Sequence, residues 1–238
     1  MVSYLKFIRV NKELIIRSNS SAVDFALLKD GKLIELNREV DNNKFSVGDI
    51  YAAKIRKPIS GLNAAFVSVG HEKDGFLHYH DLGPNLSTLL KYFKQVSSGR
   101  IKDYSIKNFR FEKEIPKDGS IQDYLQPQQQ ILVQIVKEPI STKGPRVSSE
   151  LSLAGRFMVL IPFSDRISIS QKIESNTEKN RLKKLVKSIR PKGFGIIIRT
   201  VAKDQKVKEL DSDLQQLLGR WKNLCEKFVK VDQYPNKI

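Results

Sequence analysis

Cysteine is almost absent from these 238 residues, and the single Cys225 excludes an intramolecular disulfide and a multi-cysteine zinc site within one chain. No apolar run approaches the ~20 residues that a membrane-spanning helix requires. The opening Met1-Val2-Ser3-Tyr4-Leu5-Lys6 lacks the apolar centre and small-residue cleavage site of a signal peptide. These absences lead to the expectation of a cytoplasmic protein without a membrane anchor. There is no P-loop lysine motif, no nucleophile elbow, no internal repeat and no low-complexity tract. Gly193-x-Gly195 lacks a third glycine and opens a strand rather than a helix, so it is no dinucleotide fingerprint. His71, His78 and His80 have no cysteine or matched carboxylate nearby and read as surface or loop histidines. No carboxylate pair is spaced for a two-metal site. The residues therefore offer no catalytic group and no metal ligand.

Negative charge is also scarce. Asp and Glu number 26 against 42 Lys and Arg, a formal net charge of +16, while the 40% of hydrophobic residues suffices for a real core. Such an excess attracts polyanions, nucleic acid first and anionic membrane second, unless it merely solvates the surface. The charge is uneven: between Lys172 and Lys208 stand twelve basic residues and three acids, Glu174, Glu178 and Asp204. No segment joins a large apolar face to flanking aromatics, which ranks membrane binding last.

Short apolar runs at 13–17, 25–28 and 33–36, with an Asp30-Gly31 turn, predict a β-hairpin region closed by the polar break 41–44. From Val47 to Ser148 the strands 50–56, 63–70 and 131–136 predict a small closed barrel or sandwich. Pro58 is expected to end the first of these. A short helix is predicted over 89–96, followed by a polar, basic surface insertion at 97–119. Beyond it, 156–161 reads as a strand stopped by Pro162. Ser175-x-x-Glu178 has capping-box spacing, and Leu182, Leu185, Val186 and Ile189 share one helical face. A buried strand over 194–200 and a helix of about 35 Å over 205–228 complete the pattern. The tail 232–238 reads as a linker, and Cys225 as an inert residue packed on the long helix.

Two constellations stand out. Arg199-Thr200 ends the strand from Phe194; a guanidinium fork and a hydroxyl suit a phosphate, although such a pair often only caps a strand. Phe66 and Phe76 are either barrel core or, if exposed on an OB-type face, platforms for unpaired bases. Lys54, Arg56, Lys137 and Lys143 lie close to those strands in sequence and would make a basic groove of them.

The run Gly61-Leu62-Asn63-Ala64-Ala65-Phe66-Val67-Ser68-Val69-Gly70 followed by Asp74-Gly75-Phe76-Leu77-His78 resembles the first barrel strands of the ribonuclease E/G family. Residues 152–160 and 193–200 resemble that family's 5′-sensor segments, and Trp221 sits at its helix spacing. The resemblance covers nearly the whole chain except 97–119. It implies an α+β, multi-subdomain fold: residues 1–46 as the first part of a ribonuclease H-like subdomain, 47–149 as an OB-fold barrel of the ribosomal S-one type, and 150–231 as a mixed α/β 5′ sensor. It further implies a 5′-monophosphate site at Arg199 and Thr200 with Gly155 and Val159 beside it. Base stacking on Phe66 and Phe76 and a phosphate contact at Lys143 follow from it as well.

Where the family often carries an arginine pair after Ile-Ser, this sequence has Gln171-Lys172, which removes one expected phosphate contact. The family's catalytic aspartates, which hold magnesium, and its zinc-linking cysteine motif have no counterpart in these residues. The expectation is a chain that binds single-stranded RNA, preferably 5′-monophosphorylated, without cutting it. It would serve RNA processing and decay as the RNA-binding part of an endoribonuclease. The alternative is a complete, non-catalytic protein that shields or delivers transcripts. Strands in 1–46 are expected to lack partners, leaving apolar surface prone to self-association or awaiting a missing catalytic half.

Overall fold

A computed structural model describes residues 11–19, 22–40 and 45–238. The polar break at 41–44 and the opening residues discussed above lie outside the described residues. The chain divides into two compact units that part between residues 44 and 45.

The first unit is an antiparallel meander of β1 (Lys12–Ser18), β2 (Ala22–Lys29) and β3 (Lys32–Val40). Asp30 and Gly31 both take left-handed φ values, 51° and 75°, as a two-residue hairpin turn of this type demands. Apolar side chains stand out from the sheet, with Leu14 61% and Leu36 65% exposed. Asp24 and Arg38, paired across β2 and β3, join at 2.6 Å.

The second unit begins with β4 (Ile50–Ile59), β5 (Ala64–Ser68) and β6 (Gly75–His78). Helix α1 (Leu86–Ser97) and a long irregular segment then lead to β7 (Gln130–Lys137) and β8 (Arg146–Ser148). The pairing order β4-β5-β6-β8-β7 returns to β4, so five strands close a barrel, consistent with an OB-fold. Tyr51, Ala53, Ile55, Val67, Leu77, Val133 and Val147 fill it. Contrary to expectation, β4 runs through Pro58, which pairs with Ala65. Pairing to β7 stops at Lys54 and the last bonds on that side join Ile55 to Gln128 and Gln129, so Pro58 lies beyond them, where a residue without an N–H is tolerated.

Alternate residues of β4 serve two cores. Tyr51 and Ala53 point into the barrel, while Ile50 and Ala52 join a second cluster with Leu132 of β7. That cluster belongs to β9 (Leu153–Ala154), β10 (Met158–Pro162), β11 (Ile167–Ile169), α2 (Asn176–Ile189), β12 (Phe194–Ile198) and α3 (Val207–Val229). The sheet order is β11-β12-β10-β9, and β11–α2–β12 is a parallel crossover. The buried Gln134 ties the cores together, donating to the Gly48 and Ser152 carbonyls and accepting from Ser152 N–H.

Two expectations are revised. The 97–119 segment is more than a surface insertion: Ile106 is buried, Ile101, Tyr104, Phe109 and Phe111 pack on the second core, and the Tyr104 carbonyl accepts from Tyr92 and Trp221. The tail is more than a linker. Asn236–Lys237 form β13, antiparallel to β4, and Lys237 meets Asp49 at 2.5 Å. No helix among the described residues is long and apolar enough to cross a membrane.

Candidate nucleic-acid interface

Strand alternation decides where the two phenylalanines point. On β5 and β6, Ala65, Val67 and Leu77 turn inward, so Phe66 and Phe76 must turn outward. They are half-buried and directly opposed in register, with ring centroids 6.2 Å apart and planes at 67°. Lys73, Asp74, Thr142, Lys143, Gly144 and Arg146 join them around a cavity of about 660 Å³. Gly144 is dictated by close approach: a Cβ there would lie 2.1 Å from the Asp74 carbonyl oxygen. That contact holds the exposed Lys143 beside the rings.

The other cations are dispersed. Arg56 reaches Asp74 at 3.7 Å and so borders the cavity. Arg146 is held by Asp81 through two bonds of 2.8 and 3.1 Å. Lys137 is exposed and pairs with Arg146 across β7 and β8, outside the lining. Lys54 faces elsewhere, with Nζ 5.6 Å from the centre of the Tyr234 ring. Sequence reasoning missed Lys73, Thr142 and Arg146; their nearness to Phe66 and Phe76 arises from loops that only barrel closure brings together. The histidines extend the aromatic strip, His78 stacking 6.4 Å from Phe76 and His80 lying 5.0 Å from His78. The spacing of Phe76 and His78 on β6, continued by His80 in the turn after it, was the available signal.

The second constellation forms where β11 and β12 end side by side. Arg199 follows β12, and Thr200 opens a short 3-10 turn. Arg199 Nη1 donates to the Gly155 carbonyl at 2.6 Å, and its backbone N–H donates to the Phe157 carbonyl. Its remaining guanidinium donors have no protein partner among the described residues and open to solvent. The Thr200 and Ser170 hydroxyls are 2.8 Å apart. Val159 is half-buried on β10, paired with both Ala154 and Ile197. Beneath this surface the buried Asp213 of α3 accepts N–H bonds from Arg156, Phe157 and Met158 at 2.9, 2.8 and 3.1 Å. Arg220 anchors the neighbouring Ala154 carbonyl. Gln171 and Lys172 are exposed.

Next to these strand ends, Ser175 caps α2 by accepting from Glu178 N–H. The reciprocal bond of a capping box is replaced, because Glu178 instead takes a two-pronged bond from Arg181 and the N–H of Asp204. The Arg181 guanidinium chiefly holds the Glu178 carboxyl down to about 2. Burial pushes the Cys225 thiol up to about 12. No three His, Cys, Asp or Glu side chains converge as a metal site among the described residues.

The sequence profile of the Ribonuclease E/G family matches residues 152–238. The chain is 35% identical over 176 residues to Ribonuclease E of Nostoc sp. (strain PCC 7120), covering 74% of this chain and 22% of that protein. It is 31% identical over 225 residues to Ribonuclease G of Haemophilus influenzae, covering 94% and 41%. Against Ribonuclease G of Escherichia coli the identity is 31% over 215 residues, covering 90% and 40%. The chain thus spans less than half the length of these curated relatives. Through the profile over residues 152–238 and these identities over 74–94% of its length, the chain is similar to the ribonuclease E/G family.

Proposed function

We propose that this chain is the RNA-binding, 5′-end-sensing part of a ribonuclease E/G-type endoribonuclease that works in cytoplasmic RNA processing and decay. Residues 47–149 grip single-stranded RNA, with unpaired bases stacked on Phe66 and Phe76 and phosphates met by Lys143 and Lys73. Residues 150–231 receive a 5′-monophosphate at Arg199 and Thr200, with Gly155 and Val159 lining its approach. Residues 1–46 form the first part of a ribonuclease H-like subdomain. The observation that carries the reading is the convergence of Phe66, Phe76 and Lys143 on one open cavity. Outward-facing rings beside mobile cations are the means by which proteins hold single strands without reading sequence.

The free guanidinium donors of Arg199 support the phosphate role. They are aimed outward from a rigid backbone, beside a hydroxyl pair, where a planar fork matches phosphate oxygens. The test compares short single-stranded RNAs identical except for a 5′-monophosphate or 5′-hydroxyl. Wild-type protein should prefer the monophosphate, and Arg199→Ala should lose that preference while retaining affinity for the hydroxyl form. Equal binding of both RNAs by the wild type would reject the sensor.

A further inference from the structure

We propose that the outer face of α2 is a second RNA contact, a lysine stripe that takes backbone phosphates of a chain whose 5′ end sits at Arg199 and Thr200. The inference rests on the reading above that those strand ends receive RNA. Lys179, Lys183 and Lys187 recur every four residues and so line one face of the helix, with Lys184 beside them. None of the four forms a salt bridge among the described residues, and Lys183, Lys184 and Lys187 are exposed. The only acid in α2, Glu178, is committed to Arg181 and the Asp204 N–H.

This arrangement opposes helix formation. Like charges four residues apart repel, and Lys179 lies in the first turn, where the helix dipole disfavours a cation. An anion laid along the stripe relieves both effects. RNA fits this face better than a bilayer because α2 has spent its apolar residues: Leu182 and Val186 are buried, and Leu185 and Ile189 pack on the same core. An interfacial helix needs such residues outside. Asn176 and Asn180 supply further neutral donors on the exposed face.

Position joins the stripe to the strand ends. Asp204 N–H donates to Glu178 at 2.9 Å and Arg181 donates to the Gln205 carbonyl at 3.1 Å. These bonds fix the first turns of α2 against the segment that follows Thr200. From Asn176 to Lys187 the helix then rises about 17 Å. A trinucleotide bound by its 5′ end would leave most of the stripe empty, whereas a longer chain would cover it.

The test uses the whole chain carrying Lys179→Gln, Lys183→Gln and Lys187→Gln together. Glutamine keeps the helix propensity and removes the repulsion, so helicity by circular dichroism should be preserved. A 5′-monophosphorylated RNA of about twelve nucleotides should bind more weakly, and the slope of log affinity against log salt should shrink by about 2, since each single-strand phosphate contact contributes about 0.7. Binding of a 5′-monophosphorylated trinucleotide should be unchanged. Unaltered affinity and slope for the longer RNA would overturn the proposal. So would anionic phospholipid vesicles that bind the wild type and release the variant while RNA binding stays constant. Arg199→Ala serves as the control: if it leaves trinucleotide binding intact, the sensor reading fails instead.

Discussion

The carboxylate of Asp213 occupies the space that a side chain on Gly155 would need: a Cβ there would fall 2.7 Å from each carboxylate oxygen. One residue of α3 thus dictates the absence of a side chain at the strand turn whose carbonyl holds Arg199. Gly155→Ala should displace Asp213 from the N–H groups of Arg156, Phe157 and Met158. Leaving such buried donors poorly satisfied costs roughly 1–3 kcal/mol. Urea denaturation should register that loss, and discrimination between 5′-monophosphate and 5′-hydroxyl RNA should fall with it.

Gly144→Ala should act on the barrel alone. Its Cβ would collide with the Asp74 carbonyl, so the loop carrying Lys143 must move away from Phe66 and Phe76. Affinity for single-stranded RNA should drop equally for both kinds of 5′ end, which a pair of fluorescence-anisotropy titrations would show.

Phe66→Ala and Phe76→Ala should each weaken single-stranded RNA binding by about 1–3 kcal/mol, the usual worth of a lost base stack. Because both rings are half-exposed on the outer barrel face, thermal stability should change far less than for inward-facing Leu77→Ala. Comparable losses of stability for all three would mean that the rings serve the fold.

Acid should loosen α2 from the segment after Thr200. Arg181 bonding lowers the Glu178 carboxyl to about 2, with the Asp204 N–H and the Lys203 charge adding to it against the opposing effect of burial. A lowered folded-state value means the contact stabilises the protein fully above the ordinary carboxylate range. That contribution is lost as the pH falls from about 4.5 toward 2. Glu178→Gln should flatten the melting-temperature profile across this window and leave it unchanged in shape near neutrality.

Cys225 should resist thiol reagents in the native state at neutral pH. It is fully buried and its thiol is raised to about 12 by burial, so the reactive thiolate is nearly absent. Alkylation followed by mass spectrometry should show modification only after denaturation.

Periodicity made much of this architecture legible. The helical spacing of Val207, Leu210, Leu214, Leu217, Leu218, Trp221, Leu224 and Phe228 located α3 to within two residues; all are buried except Leu218, which packs partly buried on the same core, and Val207, which is exposed. The strand-like runs at 50–56 and 131–136 likewise placed β4 and β7. What the sequence concealed were partnerships between distant segments. Tyr104 sits in a polar, basic stretch without any period, and its role depends on a carbonyl meeting Tyr92 and Trp221. Pro58 misled because a local rule about strands could not reveal that β7 had already departed. At the site, Phe66, Phe76 and Lys143 were visible as residue types, whereas the diversion of Lys54 toward Tyr234 depends on where the tail returns. Asp213 gave no signal, being one acid among several on an amphipathic helix.

The crowding of aromatic rings around Trp221 gives the protein a built-in optical probe with a restricted field of view. Its indole lies 5.7–5.9 Å from Tyr92, Phe93, Phe163 and Phe194 and is pinned to the Tyr104 backbone, while the barrel interior contains no tryptophan. It is the sole tryptophan in the chain. Emission from this one residue therefore watches the second core and the docking of the 101–111 segment, and is blind to the barrel. Spectral change on adding ligand would signal a rearrangement of that packed segment, whereas bases settling on Phe66 and Phe76 would leave the spectrum dark to their arrival.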